Sequence, residues 1–81
     1  MKVKVLYFAA ARDLTALNEE SVCLPDGMTV AGLLDEVVRL HPSLKRLEPS
    51  IRASVNSQLV DGASVLFNGD EVGVLPPVAG G

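Results

Sequence analysis

One amphipathic helix, set between stretches typical of β-strands, most limits what this chain can fold into. After Thr29, a residue suited to cap a helix N-terminus, apolar residues recur at i, i+3, i+4, i+7 and i+8. They are Val30, Leu33, Leu34, Val37 and Val38. The helix is predicted to end at His41, because the residue before a proline (Pro42) avoids the helical region. In a chain of 81 residues, one such helix is predicted to cover one face of a small sheet.

Alternation with a period of two predicts strands on both sides of the helix. In the first strand, Val3, Val5 and Tyr7 share the face without lysines, so this face is predicted to lie on the core. Leu6 and Phe8 then lie on the outer face, although the reverse assignment stays open. The predicted elements are strands over 2–9, 19–24, 51–60 and 71–75, a helix or turn over 10–17, a bend at Asn56-Ser57, an extended piece over 64–67 and a hairpin-type turn over 68–70. This order predicts an α+β fold of the β-grasp type, with the first and last strands paired in parallel at the sheet centre.

Charge, cysteine content and the N-terminus exclude several classes of function. Seven Lys and Arg against ten Asp and Glu give a net charge of −3, which argues against nucleic-acid partners, because phosphates need a basic face. The single cysteine, Cys23, fits a reducing cytoplasm and is predicted to be a half-buried strand residue. The apolar run near the N-terminus is too short to cross a membrane. The single histidine, His41, is predicted to cap a helix end, and no metal or resident cofactor is expected.

The last six residues carry the clearest functional signal, and they divide the chain into a domain over 1–75 and an extended tail over 76–81. Their sequence is Pro76-Pro77-Val78-Ala79-Gly80-Gly81. The two prolines end the last strand, because proline cannot donate to the ladder, and they stiffen the exit of the chain. A Gly-Gly end has no Cβ and can thread a narrow channel. A frayed tail is the alternative, but fraying does not need a stiff Pro-Pro exit.

A second signal is the apolar surface that alternation leaves on the outer face. If the first and last strands are neighbours, Leu6, Phe8 and Leu75 form one exposed patch beside the start of the tail. Leu59 can extend this patch. Residues 53–81 contain no Lys or Arg, so the surface that receives this end of the chain is predicted to be basic.

Several motifs together closely resemble the family of small sulfur-carrier subunits of molybdopterin synthase. The most specific are Gly69-Asp70-Glu71-Val72 and the Pro-Pro-Val-x-Gly-Gly ending; the others are Val5-Leu6-Tyr7-Phe8-Ala9, Thr29-Val30, His41-Pro42 and Val55-Asn56. The resemblance covers essentially the whole chain and implies a ubiquitin-like β-grasp fold. The chain departs from the family at two positions: Gly73 stands where alanine is frequent, and Leu75 stands where an aromatic residue is common.

The resemblance implies a carrier that is not an enzyme on its own. In this family an activating enzyme, an adenylyltransferase related to ubiquitin-activating enzymes, uses ATP to adenylate the terminal carboxylate, here that of Gly81. Sulfur then displaces AMP, and the resulting thiocarboxylate donates its sulfur to cyclic pyranopterin monophosphate to form the molybdopterin dithiolene. Gly80 and Gly81 would be the reactive end. Phe8, Leu59, Leu75 and the tail residues Pro76, Pro77, Val78 and Ala79 would contact the large catalytic subunit in a heterotetramer.

Three other functions stay open on the sequence. A sulfur carrier for thiamine, cysteine or tRNA thiolation would use the same tail with a different acceptor. A protein modifier would be joined through Gly81 to lysines of target proteins. A plain binding module would leave the tail inert, so that deletion of Gly80-Gly81 would not affect its function.

Overall fold

A mixed five-stranded sheet forms the frame of the computed structural model, which describes residues 1–76. The strands run in the order β2-β1-β5-β3-β4, and β1 pairs with β5 in parallel while the other pairs are antiparallel. The elements are β1 Lys2–Tyr7, α1 Ala9–Thr15, β2 Glu19–Cys23, α2 Val30–Leu40, a 3₁₀ helix Pro42–Ser50, β3 Arg52–Val55, β4 Gln58–Val60 and β5 Glu71–Leu75. The α+β prediction, with the first and last strands paired in parallel inside the sheet, is confirmed.

The predicted amphipathic helix is α2, and its start and buried face agree with the sequence pattern. The Thr29 hydroxyl accepts a hydrogen bond from the Gly32 N–H at 3.2 Å, which satisfies one of the free donors of the first turn. Val30, Leu33 and Val37 are almost fully buried. Burial of a side chain such as Leu33 stabilises the fold by about 1.5–3 kcal/mol, so packing on the sheet holds this helix in place.

The core lies between α2 and one face of the sheet, and it confirms the predicted assignment of faces in β1. Val3, Val5 and Tyr7 are 2% exposed or less, as are Val72 and Val74 of β5. Since adjacent strand residues point to opposite sides, the side chains of Leu6 and Phe8 are directed away from this core. No helix within residues 1–76 has the length and apolar character needed to span a bilayer.

Two connections differ from the sequence-based expectation. The bend at Asn56-Ser57 is a complete two-residue hairpin turn between β3 and β4. Both residues have a positive φ, 50° and 73°, because a turn with this backbone conformation matches the twist of the two strands. The turn predicted over 68–70 is present, since the Asp70 N–H donates to the Phe67 carbonyl at 3.1 Å, but it does not join two paired strands of a hairpin. Residues 64–67 do not pair with β5 but form an isolated bridge from Val65 to Thr29, since Leu66 is drawn into the core.

Edge position and local packing explain two further differences. Cys23 is exposed, not half-buried as predicted, because it lies on the outer face of β2, which is an edge strand. The connection after α2, for which no regular structure was predicted, is a 3₁₀ helix that buries Leu44.

A cluster of three polar side chains ties the C-terminal end of α2 to the sheet. The Tyr7 hydroxyl donates to Glu20 Oε2 at 2.5 Å, and His41 Nε2 contacts the same oxygen. The Tyr7 and His41 rings meet edge to face, with centroids 5.6 Å apart. Burial of the phenol raises the pKa of Tyr7 well above its ordinary value, and the hydrogen bond to Glu20 and the negative charge of that residue raise it further. The prediction that His41 caps the end of the helix is confirmed.

An alkaline titration tests the environment of Tyr7. Its raised pKa means that the folded state keeps a proton that the unfolded chain loses near pH 10.0. The resulting stability is therefore fully present below that pH and is lost as the pH rises above it. Tyr7 is the only tyrosine and the chain has no tryptophan, so near-ultraviolet absorbance reports this phenol alone. We expect phenolate to appear only together with loss of the far-ultraviolet circular dichroism, and a smaller alkaline loss of stability in Tyr7→Phe. Ionisation at the ordinary pKa in a folded chain would contradict the structure.

Candidate functional site

The sheet face opposite the core carries the apolar surface predicted from the sequence. Strand register aligns Leu6 of β1 with Gly73 of β5, Gly73 with Ser54 of β3, and Ser54 with Leu59 of β4. Because directly paired residues point to the same side of a sheet, these four residues form one row. At ordinary strand spacing the row extends roughly 14 Å from Leu6 to Leu59.

A second pair of apolar side chains lies beside this row at the carboxyl ends of β1 and β5. Phe8 follows Leu6 by two residues and keeps an extended backbone, with φ −120° and ψ 150°, and Leu75 follows Gly73 by two residues. Phe8 is 43% exposed and Leu59 is 74% exposed, while Leu6 and Leu75 are half-buried. We call Leu6, Phe8, Leu59 and Leu75 the outer patch. An exposed apolar cluster of this kind is typical of a surface that binds another molecule.

The C-terminal tail starts at the end of the sheet where Phe8 and Leu75 of the outer patch lie. β1 and β5 are parallel, so Phe8 and Leu75 lie at the same end of the sheet, and Pro76 follows directly as a half-buried residue outside the strand. The other predicted tail residues, Pro77, Val78, Ala79, Gly80 and Gly81, lie outside the described residues. Their assigned roles stay predictions.

Charged residues surround the outer patch, and one of them modifies the electrostatic prediction. Lys4 Nζ lies 3.5 Å from Glu19 Oε2, and Glu71 is aligned with Lys4 on the neighbouring strand. Arg52 is paired with Leu75, which places a positive charge beside the start of the tail. An apolar centre with a charged margin is the usual anatomy of a protein interface.

Sequence reasoning missed Arg52 as part of this face, and it did not place Gly73 between Leu6 and Ser54. Arg52 stands one residue before the stretch 53–81 that lacks positive charge, so the surface at the start of the tail is not uniformly acidic. The signal that places both residues is the antiparallel register of β3 with β5. Residue periodicity contains no such information, because it fixes the face of a residue but not its neighbour on the next strand.

Three side chains suited to acid–base chemistry, those of Glu20, His41 and Asp70, are engaged in structural contacts. Asp70 accepts hydrogen bonds from Asn56 Nδ2 at 3.1 Å and from the Phe67 N–H at 2.8 Å, so it stabilises its own turn. Glu20 and His41 hold each other on the helix side of the sheet. Within residues 1–76 no cluster of three His, Cys, Asp or Glu could hold a metal ion. The geometry of the outer face is suited to docking and to presenting a tail.

A shallow depression of about 320 Å³ lies at the β4 edge, away from the outer patch. Its lining includes Val55 and Val60, whose side chains pack against the core on the helix side. Phe67 also lines it and is 68% exposed. This second exposed phenylalanine therefore provides a comparison for Phe8 on the opposite face.

Comparison with proteins of known sequence finds carriers of the same length. A curated protein of Chlamydomonas reinhardtii is 35% identical over 83 residues, and the alignment covers all of both chains. One of Mycobacterium tuberculosis is 37% identical over 84 residues, covering 100% of this chain and 99% of the relative. Both relatives are named molybdopterin synthase sulfur carrier subunit.

Solved structures share the arrangement of the sheet. SAMP1 of Haloferax volcanii matches with a TM-score of 0.88 at 25% identity over the whole of both chains. A Pyrococcus furiosus protein assigned as molybdopterin converting factor subunit 1 matches with a TM-score of 0.85 at 36% identity, over 95% of this chain and 98% of that one. The ubiquitin of Caldiarchaeum subterraneum is only 15% identical over 100% of this chain and 98% of its own, and with a TM-score of 0.68 it shares the fold alone.

These likenesses, together with the sheet order, define a ubiquitin-like protein of the β-grasp class. The family is more specific than the class. The chain belongs to the ThiS family, whose model matches residues 5–81. The match runs through the Gly-Gly ending as well as the folded domain.

Paired leucine variants test whether the outer patch is dispensable for folding. Leu59 is 74% exposed whereas Leu33 is fully buried. We expect Leu59→Ala to change the free energy of unfolding by less than about 0.5 kcal/mol, and Leu33→Ala to lower it by about 2–5 kcal/mol. Urea denaturation followed by circular dichroism measures both. Equal destabilisation by the two variants would show that Leu59 serves the fold and would remove it from the outer patch.

Proposed function

We propose that this chain is the sulfur-carrier subunit of a molybdopterin synthase. The observation that carries the proposal is the outer patch placed at the start of a Gly-Gly tail, on a chain that aligns over its full length with proteins named as such carriers. The patch supplies a docking surface, and the tail supplies the atoms that react. Deletion of the Gly-Gly ending is therefore predicted to abolish the function, and alteration of the patch is predicted to weaken binding to the partner, in both cases without unfolding the domain.

The proposed chemistry takes place at the Gly81 carboxylate. An activating enzyme related to ubiquitin-activating enzymes joins one carboxylate oxygen to the α-phosphorus of ATP and releases pyrophosphate. A sulfur donor then replaces AMP at the acyl carbon, leaving a thiocarboxylate. Its sulfur is a softer nucleophile than oxygen, and it attacks cyclic pyranopterin monophosphate in the partner. ATP is a substrate of the activating enzyme in this scheme, and the chain itself holds no resident cofactor.

The proposed partner of the outer patch is the large catalytic subunit, with two copies of each subunit in a heterotetramer. Phe8, Leu59 and Leu75 serve as the apolar anchors, with Leu6 beside them on the outer face. Pro76 and Pro77 direct Val78, Ala79, Gly80 and Gly81 into the partner. Because Glu20, His41 and Asp70 are engaged in structural contacts, the partner supplies the acid–base groups in this proposal, and this chain acts as a non-catalytic subunit. We place the complex in the cytoplasm, where Cys23 would stay reduced.

Mass spectrometry tests the proposed modification of Gly81. The chain is incubated with ATP, the activating enzyme and a sulfur source, and its C-terminal peptide is weighed. We expect the mass to rise by the difference between one sulfur and one oxygen atom. A chain lacking Gly80-Gly81 is the matched control and is expected to stay unchanged. An unmodified wild-type peptide, with an activating enzyme that charges another carrier in parallel, would contradict the proposal.

Paired phenylalanine variants test the docking role of the outer patch. Phe8 and Phe67 are the two phenylalanines of the chain, and both are exposed, but on opposite sides of the sheet. We expect Phe8→Ala to weaken binding to the large subunit about tenfold, as for an interface anchor. Phe67→Ala should leave affinity within about twofold, which is below the threshold of a hot spot. Calorimetric titration measures both. Equal losses, or a loss confined to Phe67→Ala, would move the docking surface elsewhere.

A protein modifier is the second candidate, because SAMP1, a small archaeal modifier protein, gives the TM-score of 0.88. The two functions share adenylation of the tail and differ in the acceptor. Covalent adducts of Gly81 with lysines of other proteins, found under activating conditions, would support the modifier. Restoration of molybdenum-cofactor synthesis in a strain lacking its own carrier would support sulfur transfer to molybdopterin over transfer to thiamine, cysteine or tRNA. Retained function after deletion of Gly80-Gly81 would indicate a binding module with an inert tail.

A further inference from the structure

Gly73 occupies the centre of the outer face for a reason that the backbone does not explain. It lies in the middle of β5, paired on one side with Leu6 and on the other with Ser54. Its φ is not positive, so an L-residue would fit the backbone. Glycine weakens the interior of a strand and often marks a place where another group approaches closely. Glycine at this position is therefore explained by the space that neighbouring side chains occupy and not by the backbone conformation.

Two groups approach Gly73, the Ser54 hydroxyl and the Phe8 ring. A Cβ added to Gly73 would lie 3.2 Å from Phe8 Cε2 and 2.5 Å from Ser54 Oγ. The edge of the Phe8 ring therefore lies close to the central strand, beside the position that a methyl group at residue 73 would take. The sheet buries part of the ring, and 43% of the residue stays exposed.

The backbone of Phe8 is held in place, so the ring has only its side-chain torsions to adjust. Its carbonyl accepts hydrogen bonds from the Ala11 N–H at 3.0 Å and the Arg12 N–H at 3.3 Å, which start α1. A methyl group at residue 73 would be tighter against the ring than ordinary packing permits. The ring would have to move away by a few tenths of an ångström, which would change the shape of the outer patch.

We propose that Gly73 is a specificity-determining residue that positions Phe8 for docking, an inference that rests on the proposed function. Because residue 73 has no Cβ, the Phe8 ring can lie close to the sheet. The outer patch then presents a flat apolar surface at the start of the tail. The matching surface of the large subunit is apolar and contacts the Phe8 ring in this position. A carrier with alanine at this position would present a raised ring and would fit a differently shaped partner.

A double-mutant cycle between Gly73 and Phe8 tests the proposal. The cycle is built in a Ser54→Ala background, because this removes the hydroxyl at 2.5 Å and leaves the Ser54 Cβ at 3.8 Å from the new methyl. We expect Gly73→Ala to weaken binding to the large subunit about tenfold, roughly 1.4 kcal/mol. In a chain that already carries Phe8→Ala, the same change should weaken binding less than about twofold, because the ring is gone. Gly62→Ala is the control, since its Cβ would lie 3.2 Å from Ala31 Cβ, away from the outer patch.

Several outcomes would overturn the inference. Gly73→Ala binding within about twofold of the background, or a loss that adds in full to that of Phe8→Ala, would show that glycine does not act through the ring. If Gly73→Ala does not fold, the wild-type chain still gives an answer by nuclear magnetic resonance. A nuclear Overhauser effect between the Phe8 ring and the Gly73 α-protons should persist in the complex, and its loss on docking would contradict the proposal. A wild-type chain that binds no large subunit would overturn the proposed function as well.

Discussion

The parallel pairing of β1 with β5 is the interaction on which the rest of this structure depends. It joins the two ends of the folded domain, with Val5 opposite Val72 and Tyr7 opposite Val74. The inward residues of these two strands form the centre of the core. Because parallel strands end at the same edge of a sheet, the same pairing brings Phe8 beside the start of the C-terminal tail. One contact therefore both stabilises the domain and assembles the proposed docking surface.

Two adjacent residues at the end of β1, Tyr7 and Phe8, make different contacts on the two sides of the sheet. Tyr7 turns inward and joins Glu20 and His41, which fixes α2 on the sheet. Phe8 turns outward, caps α1 through its carbonyl, and lies on Gly73. The helix side is thus held by buried side chains and a polar cluster, while the outer side keeps exposed apolar surface. A small chain can in this way combine a stable domain with an exposed apolar surface beside the start of its C-terminal tail.

The sequence alone predicted those features that depend on periodicity within one element. Alternation in β1 assigned Val5 to the core and Phe8 to the outer face, and the helical spacing after Thr29 located α2. The order of the elements predicted the parallel pairing of β1 with β5, but side-chain contacts between distant elements were not predictable. Neither the Glu20–His41 contact nor the position of Arg52 beside Leu75 leaves a local pattern, because both depend on how strands and helices are aligned. Cys23 was misplaced for the same reason, since its exposure follows from the edge position of β2.

In the proposed function the tail delivers sulfur while the outer patch docks on a catalytic partner. Single-turnover synthesis of molybdopterin measures this delivery: the thiocarboxylated chain and the large subunit are mixed with cyclic pyranopterin monophosphate, and the dithiolene product is counted against the carrier consumed. Each dithiolene contains two sulfur atoms, so the account predicts that two charged chains are used for each product. Absence of product, or equal product from a chain without its Gly-Gly ending, would contradict it.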